Sequence, residues 1–350
     1  MPSFVAHLLI AKDVFGFSGL PDIRENLNYL SLGSLAPDLP YYRNVFGSAI
    51  GTFFEEKFNP DSPGFYSGPG DYFHSRTANL FPMKMLEVIR KDDDPEKEKQ
   101  KLSFAFGYLT HVAADHHIHP FVNKYAGSFY MSGRNRKRHR MLEVYQDIFL
   151  YEEKCSGKQF FDEDFPSWFD VGPPRKETEI SVAGTEGPET EKILSPKIYT
   201  YDWLRSLIQR AFLETYSSII EEDEVEKWVK GFNSIFKPMP NIGPYHDAYQ
   251  NIKEESEEAK EFKEMFYCEG KTYLAECFEP AKKLSEAYIS AAKNFFNSKH
   301  ISDNERKEFL RQIPDADLTS PLVDLKDKII ALSSSRVSKR VRGVGSDISN

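Results

Sequence analysis

The sequence predicts an all-α fold. Apolar residues recur at helical spacing through most of the 350 residues, and no stretch shows the two-residue alternation of a half-buried strand. No internal repeat is present either, so a solenoid is not indicated. A chain of this length buries a substantial core, in one large domain or two modest ones.

Residues 3–17 read as a helix, with Phe4, Leu8 and Val14 at apolar spacing and His7 on the same surface. Residues 22–34 form a second helix that ends in Gly33-Ser34-Leu35-Ala36-Pro37-Asp38. The stretch 53–73 is rich in Phe, Tyr, Gly and Pro and reads as a long loop, a kind of segment that often carries function. Helices follow over 77–91 and 96–119, the first stopped by the acidic break from Asp92 to Pro95. Another covers 137–154.

From 156 to 198 the chain is dense in Gly, Pro, Glu and Thr, with an aromatic cluster from Phe160 to Phe169, and reads as an extended or mobile excursion. Helical periodicity returns over 200–235, where Trp203, Leu207, Ile208, Ala211, Phe212 and Tyr216 form one stripe. It continues over 245–298, broken near Gly270 and Pro280, and a last helix spans 303–311. The expected organisation is a helical domain over 1–155, the excursion over 156–199, a helical region over 200–332 packed on or extending the first, and a disordered tail over 333–350.

The formal net charge is -9 and the isoelectric point about 5.6, so no global basic field recruits nucleic acid or an anionic membrane. Basic residues do cluster locally at 134–140, and again at Arg336, Lys339, Arg340 and Arg342. Both clusters read as solvated surface, or the first as a local attractant for an anionic substrate. Cys155, Cys268 and Cys277 have no C-x-x-C spacing, so neither a disulfide framework nor a thiolate zinc site is expected. Cys268 and Cys277 read as small apolar helix residues. No secretory signal and no window of 18 apolar residues is found, which makes a soluble, cytoplasmic protein without a membrane anchor the expectation.

The chemistry lies in the histidines. Of nine, seven precede residue 140: His7, His74, His111, His116, His117, His119 and His139. His111, Asp115 and His119 are spaced by four, as are His139 and Glu143, and that spacing puts ligand types on one helix face. His111 and Asp115 can share an ion, whereas His111 and His119 lie about 12 Å apart along a helix axis, too far for one zinc. Pro120 is expected to push His119 out of helical geometry. Asp115 has two oxygens and can bridge, with His111 on one metal and His119, His139 and Glu143 on another. His116 and His117 point off this face and are read as non-ligands. Asp147, one turn beyond Glu143, is either a partner of a ligand histidine or an exposed helix residue.

In order, these residues are an early His, the Gly33-Ser34-Leu35-Ala36-Pro37-Asp38 turn, a further His, the His111-x-x-x-Asp115 helix running into His119-Pro120, and the His139-x-x-x-Glu143 helix. The pattern over about residues 3–150 resembles the zinc-dependent phospholipase C family, related in fold to S1/P1-type nucleases. The resemblance implies an all-α fold around two to three zinc ions that hydrolyses phosphodiesters. It places one zinc on Asp38, His74, His111 and Asp115, and a second on His119, His139 and Glu143. The third zinc takes His7 and the other oxygen of Asp115, and is expected to bind more weakly. Asp38 is the implied catalytic carboxylate, orienting water or accepting its proton. The expected partner is a phosphodiester, a phospholipid head group or a nucleotide. The alternatives are a nuclease or nucleotide phosphodiesterase on the same metals, and a non-catalytic, metal-stabilised helical binding protein.

Overall fold

The computed structural model describes residues 4–20, 24–43, 69–75, 77–92, 95–127, 132–155, 158–169, 202–236, 243–267, 274–315 and 318. The fold is all-α, with no strand among the described residues. Along the chain run α1 (Phe4–Ser18), α2 (Arg24–Leu35), α3 (Pro69–Ser75), α4 (Leu80–Arg90), α5 (Pro95–Ala126), α6 (Gly133–Lys154) and α7 (Pro166–Phe169). They are followed by α8 (Asp202–Tyr216), α9 (Glu224–Phe236), α10 (Gly243–Lys253), α11 (Glu257–Phe266), α12 (Glu279–Asn297) and α13 (Asp303–Gln312).

Helix α5 is the spine, because α1, α2, α4, α6 and α12 all pack against it. Its middle is apolar on every side rather than along one stripe, and every residue from 101 to 115 is buried, which is the pattern of a helix surrounded by others. Helix α2 crosses α5 at a pair of glycines. A Cβ on Gly33 would fall 2.1 Å from the Phe104 carbonyl oxygen, and one on Gly107 would fall 2.0 Å from that of Leu30. Only a residue without a side chain permits this approach.

The second half of the chain closes over the first. Helix α8 lies on α4, α10 and α11 lie on α6, and α9 lies on the 3-10 turn Leu39–Tyr42. A single apolar cluster contains residues from both halves, from Phe4 to Leu318.

Four expectations need correction. Pro120 does not end the helix: α5 continues to Ala126, so His119 keeps helical geometry. A proline inside a helix costs about 3 kcal/mol. Burial of Ile118, Val122 and Ala126 around it offsets that, at about 1.5–3 kcal/mol for a fully buried branched side chain. Residues 69–73 of the supposed loop belong to α3, and the rest of 53–68 lies outside the described residues.

Within the supposed excursion, residues 158–169 form the 3-10 turn Phe160–Asp162 and α7, and Phe160, Phe165 and Phe169 are core residues. Its remainder also lies outside the described residues. Pro280 opens a helix instead of breaking one: it sits in the first turn of α12, after a π-turn at Leu274–Phe278. Proline fits there because the first-turn N–H has no intrahelical partner. Cys277 is buried in that π-turn, while Cys268 and the basic residues from Arg336 on lie outside the described residues.

Candidate metal centre

Eight buried side chains predicted as ligands come together from five places in the chain: His7 from α1, Asp38 from the turn after α2, His74 from α3, His111, Asp115 and His119 from α5, and His139 and Glu143 from α6. They form three linked groups, His7–His111–Asp115, Asp38–His74–His111 and His119–His139–Glu143, with the donor atoms of each group within 4.8 Å of one another. His111 belongs to two of the groups, and Asp115 lies between all three.

Local structure explains each placement. The glycine crossing of α2 and α5 brings the Ser34 carbonyl within reach of His111, whose Nδ1 donates to it at 2.8 Å. Beyond Ser34 the chain turns tightly, with Asp38 N–H donating to the Leu35 carbonyl at 3.0 Å, and this turn aims Asp38 inward. Helix α9 backs the turn through a second close approach, where a Cβ on Gly231 would fall 1.9 Å from the Tyr42 carbonyl oxygen. His74 Nδ1 donates to the Gly70 carbonyl one turn earlier, at 2.8 Å, and the Tyr41 ring packs beside the His74 ring, tilted by 38° with centroids 5.6 Å apart.

Helix α1 is pinned by Asp147, whose carboxylate accepts from Val5 N–H at 3.1 Å and from the Tyr245 hydroxyl at 2.7 Å. Asp147 is fully buried, so it is neither an exposed helix residue nor bonded in these contacts to a ligand histidine. It anchors the helix that carries His7.

The hydrogen bonds fix the imidazole tautomers. His111 and His74 both donate through Nδ1 to backbone carbonyls, which turns both Nε2 atoms inward, only 3.3 Å apart. Asp38 Oδ1 lies 3.1 Å from His74 Nε2, and Asp115 Oδ2 lies 3.1 Å from His111 Nε2. Asp38 Oδ1 and both Asp115 oxygens are buried without a well-formed hydrogen bond among the described residues. Four polar atoms converging in a buried site, two of them carboxylate oxygens on separate side chains, offer the donor set of a cation site. Ligands of one four-coordinate zinc, with bonds of about 2.1 Å, sit about 3.4 Å from each other. The observed spacings of 3.1–3.3 Å match. The residues fit zinc.

The second group is built alike. His139 Nε2 is 2.9 Å and His119 Nε2 3.6 Å from Glu143 Oε1, while His119 Nε2 is 3.7 Å from Asp115 Oδ1. His7 Nε2 lies 3.4 Å from the same Asp115 oxygen, and its ring stacks on that of His111. Burial alone would raise the Asp115 carboxyl. Facing His119 and His111 outweighs burial and holds the group well below the usual carboxylate range. Burial likewise opposes charge on His119, but Asp115, Glu143 and a backbone carbonyl raise its pKa to about 9. His139 is lowered, chiefly by burial.

His116 and His117 stand apart from the three groups. His116 Nδ1 bonds the Tyr288 hydroxyl of α12 at 2.9 Å, and burial lowers its pKa to about 4. Of the basic run 134–140, Arg134 and Lys137 are exposed, Arg138 pairs with Glu261, and Arg140 is buried. Glu221, Asp223 and Glu224 form a further acidic group at the surface, where Arg43 and Lys227 pair with it. The backbone groups that orient the ligands, at Ser34, Gly70 and Leu318, leave no mark in the sequence because any residue type supplies a carbonyl.

Comparison with known protein families matches residues 6–221 to the family described as zinc dependent phospholipase C. The chain belongs to this family of metal-dependent, phospholipase C-like hydrolases. The match reaches beyond the stretch of about 3–150 that carries the sequence resemblance, and takes in α7 and α8. No curated protein and no solved structure matches the chain. Among the described residues no helix is long and apolar enough to cross a membrane.

Proposed function

We propose that this chain is a zinc-dependent phosphodiesterase that cleaves a phospholipid on the phosphate side of its glycerol. The observation that supports the reading most strongly is the set of buried Nε2 and carboxylate atoms that converge at 3.1–3.3 Å. Asp38, His74, His111 and Asp115 would hold one zinc, His119, His139 and Glu143 a second, and His7 with the other Asp115 oxygen a third. Zinc there supplies a lowered pKa for water and neutralises charge on phosphoryl oxygens. A structural zinc takes four closed ligands, and this centre offers eight, which favours catalysis over a purely structural role.

The side chains share the remaining tasks. The Asp38 carboxylate, through the oxygen not turned to the metal, would accept the proton of the attacking water as the water oxygen bonds to phosphorus, and would pass it to the glycerol oxygen as the phosphorus–glycerol bond breaks, releasing a glycerol hydroxyl. The histidine Nδ1–H bonds keep the Nε2 lone pairs aimed during turnover. Exposed Arg134 and Lys137, in the first turns of α6 ahead of His139, supply positive charge on the ligand helix for an anionic substrate.

The test combines metal analysis with a substrate panel of phosphatidylcholine, a chromogenic phosphodiester and single-stranded DNA. Two to three zinc equivalents and hydrolysis of the phospholipid are expected. His111→Ala and Asp115→Asn should lose metal and activity together, and His117→Ala should keep both. Zinc-free protein after expression with zinc supplied refutes the site. Hydrolysis of DNA alone replaces the lipid reading with the nuclease one.

A further inference from the structure

The contacts of one residue near the C-terminus extend the metal centre past the family match, which ends at 221. The Leu318 carbonyl accepts a hydrogen bond from His119 Nδ1. The Leu318 N–H donates to the His74 carbonyl at 2.8 Å. Its side chain is buried within the core. One residue thus touches a ligand from each of two groups, Asp38–His74–His111 and His119–His139–Glu143. The approach is held nearby as well. Asn79 Nδ2 donates to the Ile313 carbonyl at 2.8 Å, Ile313 is buried, and the Asp315 carboxylate meets the backbone amides of Thr77 and Ala78.

We propose that Leu318 is a positioning residue of the metal centre: its carbonyl holds the His119 proton on Nδ1, and its N–H ties the same residue to the last turn of α3, which carries His74. The proposal rests on the zinc reading above. His111 and His74 obtain the same orientation from Ser34 and Gly70, which lie in the family-matched or adjacent helices. His119 obtains it from a residue 199 positions away. Its Nε2 is thereby left free to face Asp115 and Glu143. Outer hydrogen bonds of this kind typically contribute 10–100-fold in metal affinity. Leu318, with Ile313 and Asp315 before it, is on this view a working part of the site.

The experiment measures zinc affinity in the full-length protein by competition with a chromophoric chelator. It is paired with the side-chain nitrogen signals of His119 by NMR, read in alkaline solution where the ring is neutral. Leu318→Pro removes the N–H, Leu318→Gly removes the buried side chain that seats the peptide, and Asn79→Ala releases Ile313 nearby. Each should weaken the zinc held by His119, His139 and Glu143 about 10–100-fold and affect the zinc held by Asp38, His74 and His111 less, while Leu318→Met behaves as wild type. The wild-type His119 signals should show the proton on Nδ1. If Leu318→Pro fails to fold, Asn79→Ala and the wild-type tautomer still decide. A proton on Nε2 in the wild type, or unchanged affinity in folded Leu318→Gly and Asn79→Ala, overturns the proposal. A wild type that binds no zinc refutes the functional reading instead, and the tautomer then judges Leu318 alone.

Discussion

His7 illustrates how much a single ligand depends on its neighbours. Its ring lies parallel to that of His111 with centroids 4.0 Å apart, and its Nδ1 is buried without a hydrogen-bond partner among the described residues. No carbonyl among the described residues fixes its orientation as Ser34 fixes that of His111, and the proposed third zinc is accordingly expected to bind weakly there. His7→Ala should remove one zinc equivalent by elemental analysis and lower hydrolysis without abolishing it. Loss of every equivalent, or of none, counts against its assignment. His116 carries a different consequence. Its ring titrates near 6.5 when unfolded and near 4 when folded, because burial opposes its charge. Between those values the unfolded chain binds a proton that the folded chain refuses. Its contribution is therefore complete above pH 6.5 and lost as the pH falls toward 4. That is about 3 kcal/mol at most. Urea titrations of zinc-free protein should show wild type losing about that much more stability than His116→Gln between pH 7 and 4, and parallel losses in the two proteins exclude the effect.

At the scale of elements, the helices were legible and their exceptions were not. Periodicity placed α1, α2, α4, α6 and α13 within a few residues. Pro120 misled because local steric preference is a smaller quantity than the burial of the residues around it. α3 was hidden by the Gly-Pro-rich stretch that leads into it, and Phe160 to Phe169 by a composition that resembles a surface excursion although its aromatic rings pack on Phe4, Tyr151 and Tyr245. Ligand spacing within one helix could be read directly. The crossing that makes the spacing useful could not, since Gly33 and Gly107 are informative only once the two helices are known to meet. Gly107→Ala tests that crossing. A methyl group there must displace the Leu30 carbonyl, a backbone atom with little freedom, and should cost about 1–3 kcal/mol or more. It should also shift the Ser34 carbonyl away from His111. Denaturant unfolding and zinc competition should both register the change; lowered stability with unaltered zinc affinity means that the crossing supports the fold but not the site.

Across the whole molecule, the centre joins pieces that the core alone would hold less firmly. His7, Asp38, His74, the α5 ligands and the α6 ligands belong to separate elements, and Tyr245, Gly231 and Leu318 bring in the second half of the chain. Sequence reading could assign the first half a chemistry and gave the second half none, because what the second half supplies is backing: a hydroxyl on Asp147, close backbone behind Asp38 and a carbonyl on His119. Three buried carboxylates, Asp38, Asp115 and Glu143, face the histidines without bulk water to solvate them. A metal that neutralises them binds the folded chain and has no comparable site in the unfolded one, so zinc and folding are thermodynamically linked. At free zinc about 100-fold above its dissociation constant, each linked site adds about 2.7 kcal/mol. For a chain of this size, with an unfolding entropy of about 0.7 kcal/mol/K, each such site corresponds to a melting temperature higher by roughly 4 °C. Calorimetry before and after dialysis against a chelator should show a fall of at least that size, reversed by added zinc and not by magnesium, which prefers six oxygen ligands. An unchanged melting temperature would show that the eight donors are already satisfied without a metal, and would remove the physical basis for reading them as a zinc centre.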